Sequence, residues 1–322
     1  MKQNVKVLVS YKMGNSFLKK LEEKLKQIKK YRIELITPET KEKELLKDLI
    51  KDVDILLAGI ADVDLLKNGK NLKFIQALTS SVARIDLKYT SERDIPVCSA
   101  KGPESVAVAE HTLMLMLMLV KNAKENVSLD KWLEKRNNSI ELHGKKVGIL
   151  GAGCIGKEIA RMLKGMKMET YGIDKYPSKS SNFDHILNVE KIDKILPKID
   201  FLTIHVPRTK ETTNMISLPQ MKKMKPESYL INVSRGQVVN LDDLEFALSN
   251  KIIKGAALDV FPQEPPDYSH PIFRCENFIY TPHLAGLTVE SRIRLADFVA
   301  KNIENFLSKK QIVNLVNTET GF

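Results

Sequence analysis

Short apolar segments alternate with amphipathic ones over the first hundred residues of the chain. Residues 17–30 carry apolar side chains at helical spacing and lysines on the opposite face, and 41–50 also has a helical pattern. Five further segments have the length and apolar character of buried strands, at 5–10, 32–37, 54–59, 72–78 and 95–100. Strand–helix alternation of this kind predicts a parallel sheet covered by helices.

A second alternation follows a long apolar helical pattern at 104–121 and a polar stretch. A last helix is predicted at 288–308. Six nearly continuous apolar segments lie between these helices, at 145–151, 168–174, 199–206, 228–234, 254–260 and 277–282. Such segments are typical of parallel strands buried on both faces of a sheet. The pattern therefore predicts an α/β protein in both halves of the chain.

Length, composition and charge limit the class of protein. The chain has 322 residues, of which 43% are hydrophobic and 28% charged, a balance that excludes a disordered chain. That length suggests about two domains. The net charge of +11 raises the question of a nucleic-acid partner. The lysines are dispersed, however, and the densest group lies on the polar face of 17–30, so a solvated surface is favoured over a nucleic-acid patch.

The chain shows no sign of secretion, membrane insertion or metal binding. Its longest apolar run, 113–120, is well short of the ~18 residues that a membrane span needs, and residues 1–12 lack an apolar stretch long enough for a signal peptide. Cys98, Cys154 and Cys275 lack the C-x-x-C spacing of a zinc site and cannot form a disulfide framework. We therefore expect a soluble, cytoplasmic protein with no membrane partner and no metal.

A glycine pattern follows the strand predicted at 145–151. It is G-x-G-x-x-G at Gly151, Gly153 and Gly156, and it opens a helical pattern. In this context the first glycine permits a tight turn, the second lets the backbone approach a pyrophosphate, and the third lets the helix pack against the strand. The helix N-terminus offers unpaired N–H groups to the phosphates. The sequence predicts a dinucleotide site, with a purely structural turn as the alternative.

Asp174 ends the next predicted strand and bears on which dinucleotide binds. An acidic residue there can accept hydrogen bonds from the ribose hydroxyls and repels a 2′-phosphate, so NAD is predicted over NADP. Lys175 and Lys179 follow and could weaken this preference.

Polar groups also follow the later strands. Arg235, Asp259 with Glu264, and His283 come at or shortly after three strand ends, where open α/β sheets bind ligands. Arg235 is suited to anchor a carboxylate, His283 to give a proton to a carbonyl oxygen, and Glu264 to orient the imidazole. Alone, Arg235 could be a surface ion pair and His283 a buried structural histidine. Together they favour a 2-hydroxy acid dehydrogenase.

The other five histidines have weaker context. His111, in a helical pattern, is predicted to pack or to bond another helix. His205 is predicted to line the nucleotide cleft. His143, His185 and His270 lie in polar surroundings and are predicted to be exposed.

Six motifs, in order and over nearly the whole chain, resemble those of the D-isomer-specific 2-hydroxyacid dehydrogenases. They read ESVAVAEHTL, LHGKKVGILGAGCIG, HVPRTKETTNMI, INVSRGQVVN, ALDVFPQEPP and TPHLAG. The family includes phosphoglycerate dehydrogenase, glyoxylate/hydroxypyruvate reductase and D-lactate dehydrogenase. The resemblance implies two Rossmann-like domains, a flavodoxin-like substrate-binding domain from 1–100 plus 289–322 and an inserted, doubly wound NAD-binding domain from 101–288. It also implies a homodimer, with the helix at 104–121 and the segment near Trp132 in the interface.

The resemblance also implies roles for individual residues. It gives Arg235 as carboxylate anchor, His283 as acid–base and Glu264 as its partner, with Asp259 near the nicotinamide carboxamide. Arg235 and His283 are further implied to contact both cofactor and substrate. The other residues implied around the cofactor are Ser80, Thr112, Cys154, Ile155, Val206, Pro207, Thr212, Val233, Ser234, Ala285 and Gly286. Those implied for the substrate are Ser80, Ser81 and Val82.

One segment departs from the family pattern. Where the family commonly has G-x-G-V-D, residues 79–84 read TSSVAR. The N–H groups of Ser81 and Val82 could still hold a carboxylate, but the lost glycine leaves the identity of the substrate open. A further hypothesis is that Arg84 and the segment 11–13 bind a second anionic or bulky group, such as a phosphate. A merely exposed Arg84 is the alternative.

The sequence as a whole predicts an NAD-dependent oxidoreductase. It would interconvert a small 2-oxo acid and a D-2-hydroxy acid by hydride transfer. The alternative from another class is an NAD(H)-sensing, corepressor-like binding protein, which would keep the glycine pattern and Asp174 but would not need the intact set of Arg235, Glu264 and His283.

Overall fold

The computed structural model describes residues 3–126 and 139–316. They divide into two compact units: unit 1 contains 3–104 and 288–316, and unit 2 contains 105–126 and 139–287. The boundaries expected from the sequence differ from these by four residues (101 against 105) and by one residue (289 against 288).

Unit 1 is built on a five-stranded parallel sheet. Its strands are β1 (Gln3–Val9), β2 (Tyr31–Ile36), β3 (Ile55–Ala58), β4 (Phe74–Ala77) and β5 (Val97–Cys98). Its first helices are α1 (Asn15–Lys26), α2 (Lys43–Leu49), α3 (Val63–Leu66) and α4 (Leu87–Ser91). The strand order β2-β1-β3-β4-β5 is that of flavodoxin-like folds.

Unit 2 is built on a seven-stranded parallel sheet. Its strands are β6 (Lys146–Leu150), β7 (Glu169–Asp174), β8 (His185–Asn188), β9 (Phe201–Ile204), β10 (Tyr229–Asn232), β11 (Gly255–Leu258) and β12 (Phe278–Tyr280). Its helices are α5 (Ser105–Val120), α6 (Ala123–Asn126), α7 (Cys154–Gly165), α8 (Ile192–Ile195), α9 (Leu218–Met221) and α10 (Leu241–Ser249). The order β12-β11-β10-β9-β6-β7-β8 is doubly wound, as in dinucleotide-binding folds. The predicted α/β fold class is confirmed.

Two local differences from the sequence pattern have simple causes. Strand β8 was not predicted, because it is an edge strand that is only partly buried and lacks a continuous apolar run. Helix α5 is apolar on almost every side, because it packs on β10 and β11 and also against α7. Among the described residues, no helix is both long enough and apolar enough to cross a membrane.

The last helix, α11 (Val289–Leu307), belongs to unit 1 and packs against α1. Buried Phe17, Leu21 and Leu25 form the inner face of α1. On α11, the buried Asn302 donates to Gln76 Oε1 on β4 at 2.8 Å. Through these contacts α11, which follows unit 2 in the sequence, packs against elements formed by the first hundred residues.

Candidate active site

The glycine loop lies where the sheet of unit 2 reverses its strand order. Strands β6 and β9 are neighbours there, and their following segments run to opposite sides. Gly151 has a φ of +102°, and a Cβ on it would lie 2.7 Å from the carbonyl oxygen of His205. A Cβ on Gly156 would lie 2.0 Å from the carbonyl oxygen of Gly151. The first and third glycines are therefore required by the protein's own backbone.

Gly153 has a different reason to be glycine. A Cβ there would meet no atom of the described residues within 4 Å, so this backbone faces open space. Gly153 is also the N-cap of α7 and supplies no side-chain cap. The first N–H groups of α7, at Cys154 and Ile155, have no acceptor within the helix, and the dipole favours an anion. This cradle fits the pyrophosphate of a dinucleotide.

Asp174 ties the end of β7 to the glycine loop. Its Oδ2 accepts the N–H of Ala152 at 2.8 Å, and its Oδ1 accepts the N–H of Tyr176 at 2.9 Å. Each carboxylate oxygen has further acceptor capacity for a ribose hydroxyl. The neighbouring Lys175 is paired with Glu211 at 2.7 Å. Of the two cations that could weaken the preference for NAD, Lys175 therefore already has an anionic partner.

Arg235 lies in a turn that a buried asparagine organises. Asn232, the last residue of β10, is 0% exposed. Its Nδ2 donates to the carbonyl of Arg235 at 2.9 Å, and its Oδ1 accepts the N–H and the hydroxyl of Ser234. The half-buried Arg235 itself donates from Nη1 to the Ser234 carbonyl at 2.6 Å. Sequence reasoning missed Asn232, although an asparagine that ends an apolar strand is a recognisable signal for a side-chain-to-backbone turn.

The turn with Arg235 touches the segment that leads to Glu264. A Cβ on Gly236 would lie 1.9 Å from the carbonyl carbon of Phe261 and 2.3 Å from the nitrogen of Pro262. The segments that follow β10 and β11 are therefore in backbone contact. Their strands are adjacent in the sheet, so the proximity follows from the strand order.

His283 and Glu264 form a direct pair. His283 Nδ1 lies 2.6 Å from Glu264 Oε2, and Glu264 Oε1 accepts the N–H of Phe261 at 3.1 Å. About half of the His283 side chain is exposed (51%). Because the carboxylate occupies Nδ1, the nitrogen left for a reactant is Nε2. The pair can orient the ring and pass one proton through Nε2.

Asp259 is 1% exposed and holds the loop that carries His283. Its Oδ1 accepts from the Thr281 hydroxyl at 2.6 Å and from the N–H of Leu284 at 2.8 Å, and its Oδ2 accepts the N–H of Ala285 at 2.9 Å. Its own carbonyl accepts the N–H of His283 at 2.8 Å. The contact with a nicotinamide carboxamide stays a prediction.

The structure departs from the helix contact given as one reading of His111 and from the exposure expected for His270. His111 bonds Thr281 in a loop rather than another helix, with Nε2 2.9 Å from Oγ1. His270 is half-buried and lies 3.0 Å from Asp242, because it caps a short 3₁₀ turn. His143 and His185 are exposed, as predicted.

The remaining residues predicted around the cofactor lie on several different elements. Thr112 is buried in α5, where its hydroxyl donates to the Val108 carbonyl at 2.7 Å. The Thr212 hydroxyl donates to the Pro207 carbonyl at 2.7 Å and closes the turn after β9. Val233 and Ala285 are buried, Val206 and Gly286 are partly exposed, and Ser80 belongs to unit 1. The segment near Trp132 lies outside the described residues.

The predicted substrate loop lies at the carboxyl end of β4 in unit 1. Val82 is 4% exposed, and the hydroxyl of Thr79 donates to the Ser81 carbonyl at 2.7 Å. Among the described residues, no protein acceptor takes the N–H of Ser80, Ser81 or Val82. Three consecutive N–H groups of this kind suit an anion such as a carboxylate.

Comparison with known proteins identifies the family. The model for the NAD-binding domain of D-isomer-specific 2-hydroxyacid dehydrogenases matches residues 112–285. The chain belongs to this family. A glyoxylate reductase of Thermofilum pendens is 34% identical over 86% of this chain and 84% of its own length. D-3-Phosphoglycerate dehydrogenases of Archaeoglobus fulgidus and Methanocaldococcus jannaschii are each 33% identical, but the chain spans only 53% and 59% of their lengths.

Solved structures agree with the fold of this chain. An NADPH-dependent glyoxylate/hydroxypyruvate reductase of Sinorhizobium meliloti superposes with a TM-score of 0.83 at 24% identity, over 98% of both chains. The PH0520 protein of Pyrococcus horikoshii superposes with a TM-score of 0.75 at 29% identity, over 98% of this chain and 96% of its own. Unit 2 therefore contains the NAD-binding domain of the family.

His205 is an acid-sensitive position in unit 2. Neither ring nitrogen has a hydrogen-bond partner among the described residues, and burial lowers the pKa of His205 from 6.5 to about 3. As the pH falls, the unfolded chain therefore takes up a proton on this histidine before the folded protein does. His205 costs no stability well above pH 6.5, and below pH 6.5 it lowers the free energy of unfolding. Between pH 7.5 and 5.5, we expect this histidine to remove about 1.4 kcal/mol of the free energy of unfolding.

The variant His205→Leu isolates this effect, because it removes the titrating group and no hydrogen bond between protein atoms. Guanidinium unfolding at the two pH values measures the free energy of each protein. The loss on acidification is expected to be smaller in His205→Leu than in the original protein. An equal loss in both proteins would show that His205 is not held neutral.

Proposed function

We propose that this protein interconverts a small 2-oxo acid and the corresponding D-2-hydroxy acid with NAD as cofactor. The observation that carries the proposal is the His283–Glu264 pair at 2.6 Å. It lies at the same sheet edge as the glycine loop and Arg235. An acid–base pair is needed for proton transfer to a carbonyl oxygen and is not needed for binding a nucleotide.

Separate groups of residues would bind the cofactor and the substrate. Gly153 and the N-terminus of α7 would hold the pyrophosphate, and Asp174 the ribose. Bound NAD supplies the acceptor or donor of the hydride. Arg235 would bind the substrate carboxylate through two N–H groups and so fix its orientation. His283 would give a proton to the carbonyl oxygen in reduction and remove it in oxidation, while Glu264 keeps the ring in place.

Replacing Arg235 tests the anchor. Arg235→Gln removes the charge, and we expect it to lower kcat/KM for the 2-oxo acid by about 10²–10³-fold, mainly through KM. Arg235→Lys keeps the charge but loses the two-point geometry, so an intermediate loss is expected. Steady-state kinetics measure both variants. If Arg235→Gln kept the KM of the original protein, the carboxylate would have to bind elsewhere.

A substrate panel tests the activity itself. Oxidation of NADH is followed with glyoxylate, hydroxypyruvate, pyruvate, branched 2-oxo acids and 3-phosphohydroxypyruvate. At least one is expected to be reduced, and to give the D-isomer wherever the product is chiral. Tight binding of NADH without oxidation by any of them would instead support the corepressor-like alternative. That alternative has less support, because it leaves the His283–Glu264 pair without a role.

The same panel tests whether Arg84 and residues 11–13 bind a distal anion. Both lie in unit 1 and both touch the segment after β3: a Cβ on Gly59 would lie 2.3 Å from the Tyr11 ring, and Ala61 donates its N–H to the Arg84 carbonyl at 3.0 Å. The Arg84 side chain is exposed. Preference for the phosphorylated acid, lost in Arg84→Ala, is the expected result. Equal efficiency for both kinds of acid would end this hypothesis.

We also propose a cytoplasmic homodimer that associates through unit 2. Met114 on α5 and Leu287 are large apolar side chains with 40% and 54% exposure, which suits a surface covered by a second copy. Sedimentation tests the dimer. The cytoplasm is supported by three unpaired cysteines and is tested by cell fractionation.

A further inference from the structure

A chain of short hydrogen bonds links helix α5 to the loop of His283. His111 Nε2 lies 2.9 Å from the hydroxyl of Thr281. That hydroxyl lies 2.6 Å from Asp259 Oδ1, and His111 Nε2 is 3.5 Å from the same oxygen. All three residues belong to unit 2.

The donor and the acceptor of each hydrogen bond in this series follow from the groups that contact Asp259. Both oxygens of Asp259 accept backbone N–H groups, so the carboxylate acts as an acceptor. The single proton of the Thr281 hydroxyl therefore points to Asp259, and its lone pair accepts from His111. His111 must then carry a proton on Nε2. Burial lowers the pKa of His111, so the neutral ring with Nε2–H is the form that fits.

The loop that receives these bonds needs support. His283 has a φ of +55°, in the left-handed region that is unfavourable for a residue with a side chain. Its N–H donates to the Asp259 carbonyl at 2.8 Å, and the next two N–H groups donate to the Asp259 carboxylate. Asp259 therefore stabilises the backbone of His283 and of the two residues after it through three hydrogen bonds. A displaced carboxylate would lose the N–H groups of Leu284 and Ala285, the two residues that follow His283.

We propose that His111 is a positioning residue for His283, acting through Thr281 and Asp259. It donates to the Thr281 hydroxyl, fixes the direction of that hydroxyl toward Asp259, and so holds the carboxylate that shapes the loop. This inference rests on the proposed function of His283 as the acid–base residue. It assigns to α5 a part in catalysis beyond its packing on β10 and β11.

The test removes the hydrogen-bonding group of Thr281 or of His111 and, in matched variants, restores an equivalent group at the same position. Thr281→Val and His111→Leu remove the hydroxyl and the donor, whereas Thr281→Ser and His111→Gln keep an equivalent group. We expect the first two to lower kcat by about 10–100-fold, because a small misplacement of the acid disturbs proton transfer. The KM of the 2-oxo acid is expected to stay within about twofold, since Arg235 is untouched. The restoring variants are expected to recover most of kcat.

Thr203→Val is the matched control. Thr203 lies on β9 of the same sheet, is 0% exposed, and its hydroxyl has no partner among the described residues. The same exchange of hydroxyl for methyl should therefore leave kcat and the melting temperature at or above those of the original protein. Unchanged kcat in both Thr281→Val and His111→Leu would overturn the proposal. So would a loss of kcat that Thr281→Ser and His111→Gln fail to restore.

A spectroscopic measurement on the protein without substrate separates this inference from the proposed function. The proton between His283 Nδ1 and Glu264 is expected to give a low-field NMR resonance, assigned by its absence in His283→Gln. It should shift or broaden in Thr281→Val and in His111→Leu, and remain in Thr281→Ser and in Thr203→Val. A resonance unchanged in the first two variants would contradict the positioning role, even if no 2-oxo acid of the panel were reduced. A shifted resonance together with an inactive panel would support the positioning role and count against the proposed reaction alone.

Discussion

Replacing His283 by alanine is expected to lower kcat by about 10²–10⁴-fold, because the 2-oxo acid then loses its proton donor. The pair at 2.6 Å with Glu264 presents Nε2 as the only ring nitrogen free for a reactant. The Kd of NADH is expected to change little, since the glycine loop and α7 are untouched. Steady-state kinetics with the best substrate of the panel measure kcat, and the quenching of protein fluorescence measures the Kd.

His143→Ala is the control for this prediction. His143 is exposed and has no hydrogen bond to the described residues, so its removal should leave kcat unchanged. Glu264→Gln adds a second comparison, because it keeps a polar partner for the ring but removes the charge. If His283→Ala turned over substrate as fast as the original protein, His283 could not be the acid.

Gly236→Ala is expected to destabilise the protein by about 2–4 kcal/mol, although it adds a single methyl group. The new Cβ would lie 1.9 Å from the carbonyl carbon of Phe261 and 2.2 Å from its oxygen. These are backbone atoms, so no side chain can rotate away. The turn with Arg235 and the segment with Glu264 must then separate. We expect a melting temperature lower by about 5–15 °C and a loss of activity.

Gly165→Ala provides the matched control. It makes the same chemical change at the end of α7, where a Cβ would meet no atom of the described residues within 4 Å. Alanine also favours a helix over glycine, so this variant should be as stable as the original protein or slightly more so. Equal melting temperatures for Gly236→Ala and Gly165→Ala would show that the two segments move apart without cost.

The proposed reaction and the binding alternative predict different results for variants of Arg235 and His283. A nucleotide-sensing protein would have no kcat to lose in any variant of Arg235 or His283. An enzyme would keep its affinity for NADH in His283→Ala and lose turnover. The substrate panel and the His283→Ala variant together therefore decide between an enzyme and a binding protein.

The sequence by itself determined the parts of this protein that local pattern encodes. Apolar runs of strand length predicted eleven of the twelve strands found in the described residues, since parallel strands buried on both faces are apolar along their length. The spacing of Gly151, Gly153 and Gly156 predicted the dinucleotide loop, because the three glycines lie within six residues, directly after an apolar strand and at the start of a helical pattern. Arg235, Glu264 and His283 could be selected because each follows a strand, and parallel strands end at a common edge.

The tertiary structure alone decided which of these groups touch. The pairing of His283 with Glu264, and the burial of Asp259 under Thr281 and the loop that follows it, depend on the order of β10, β11 and β12 in the sheet. So does the need for glycine at position 236, where two segments far apart in sequence come into backbone contact. His111 was assigned only to packing or to a helix contact, because its partner lies 170 residues later. Contacts across such separations are set by the folded sheet and leave no local pattern in the chain.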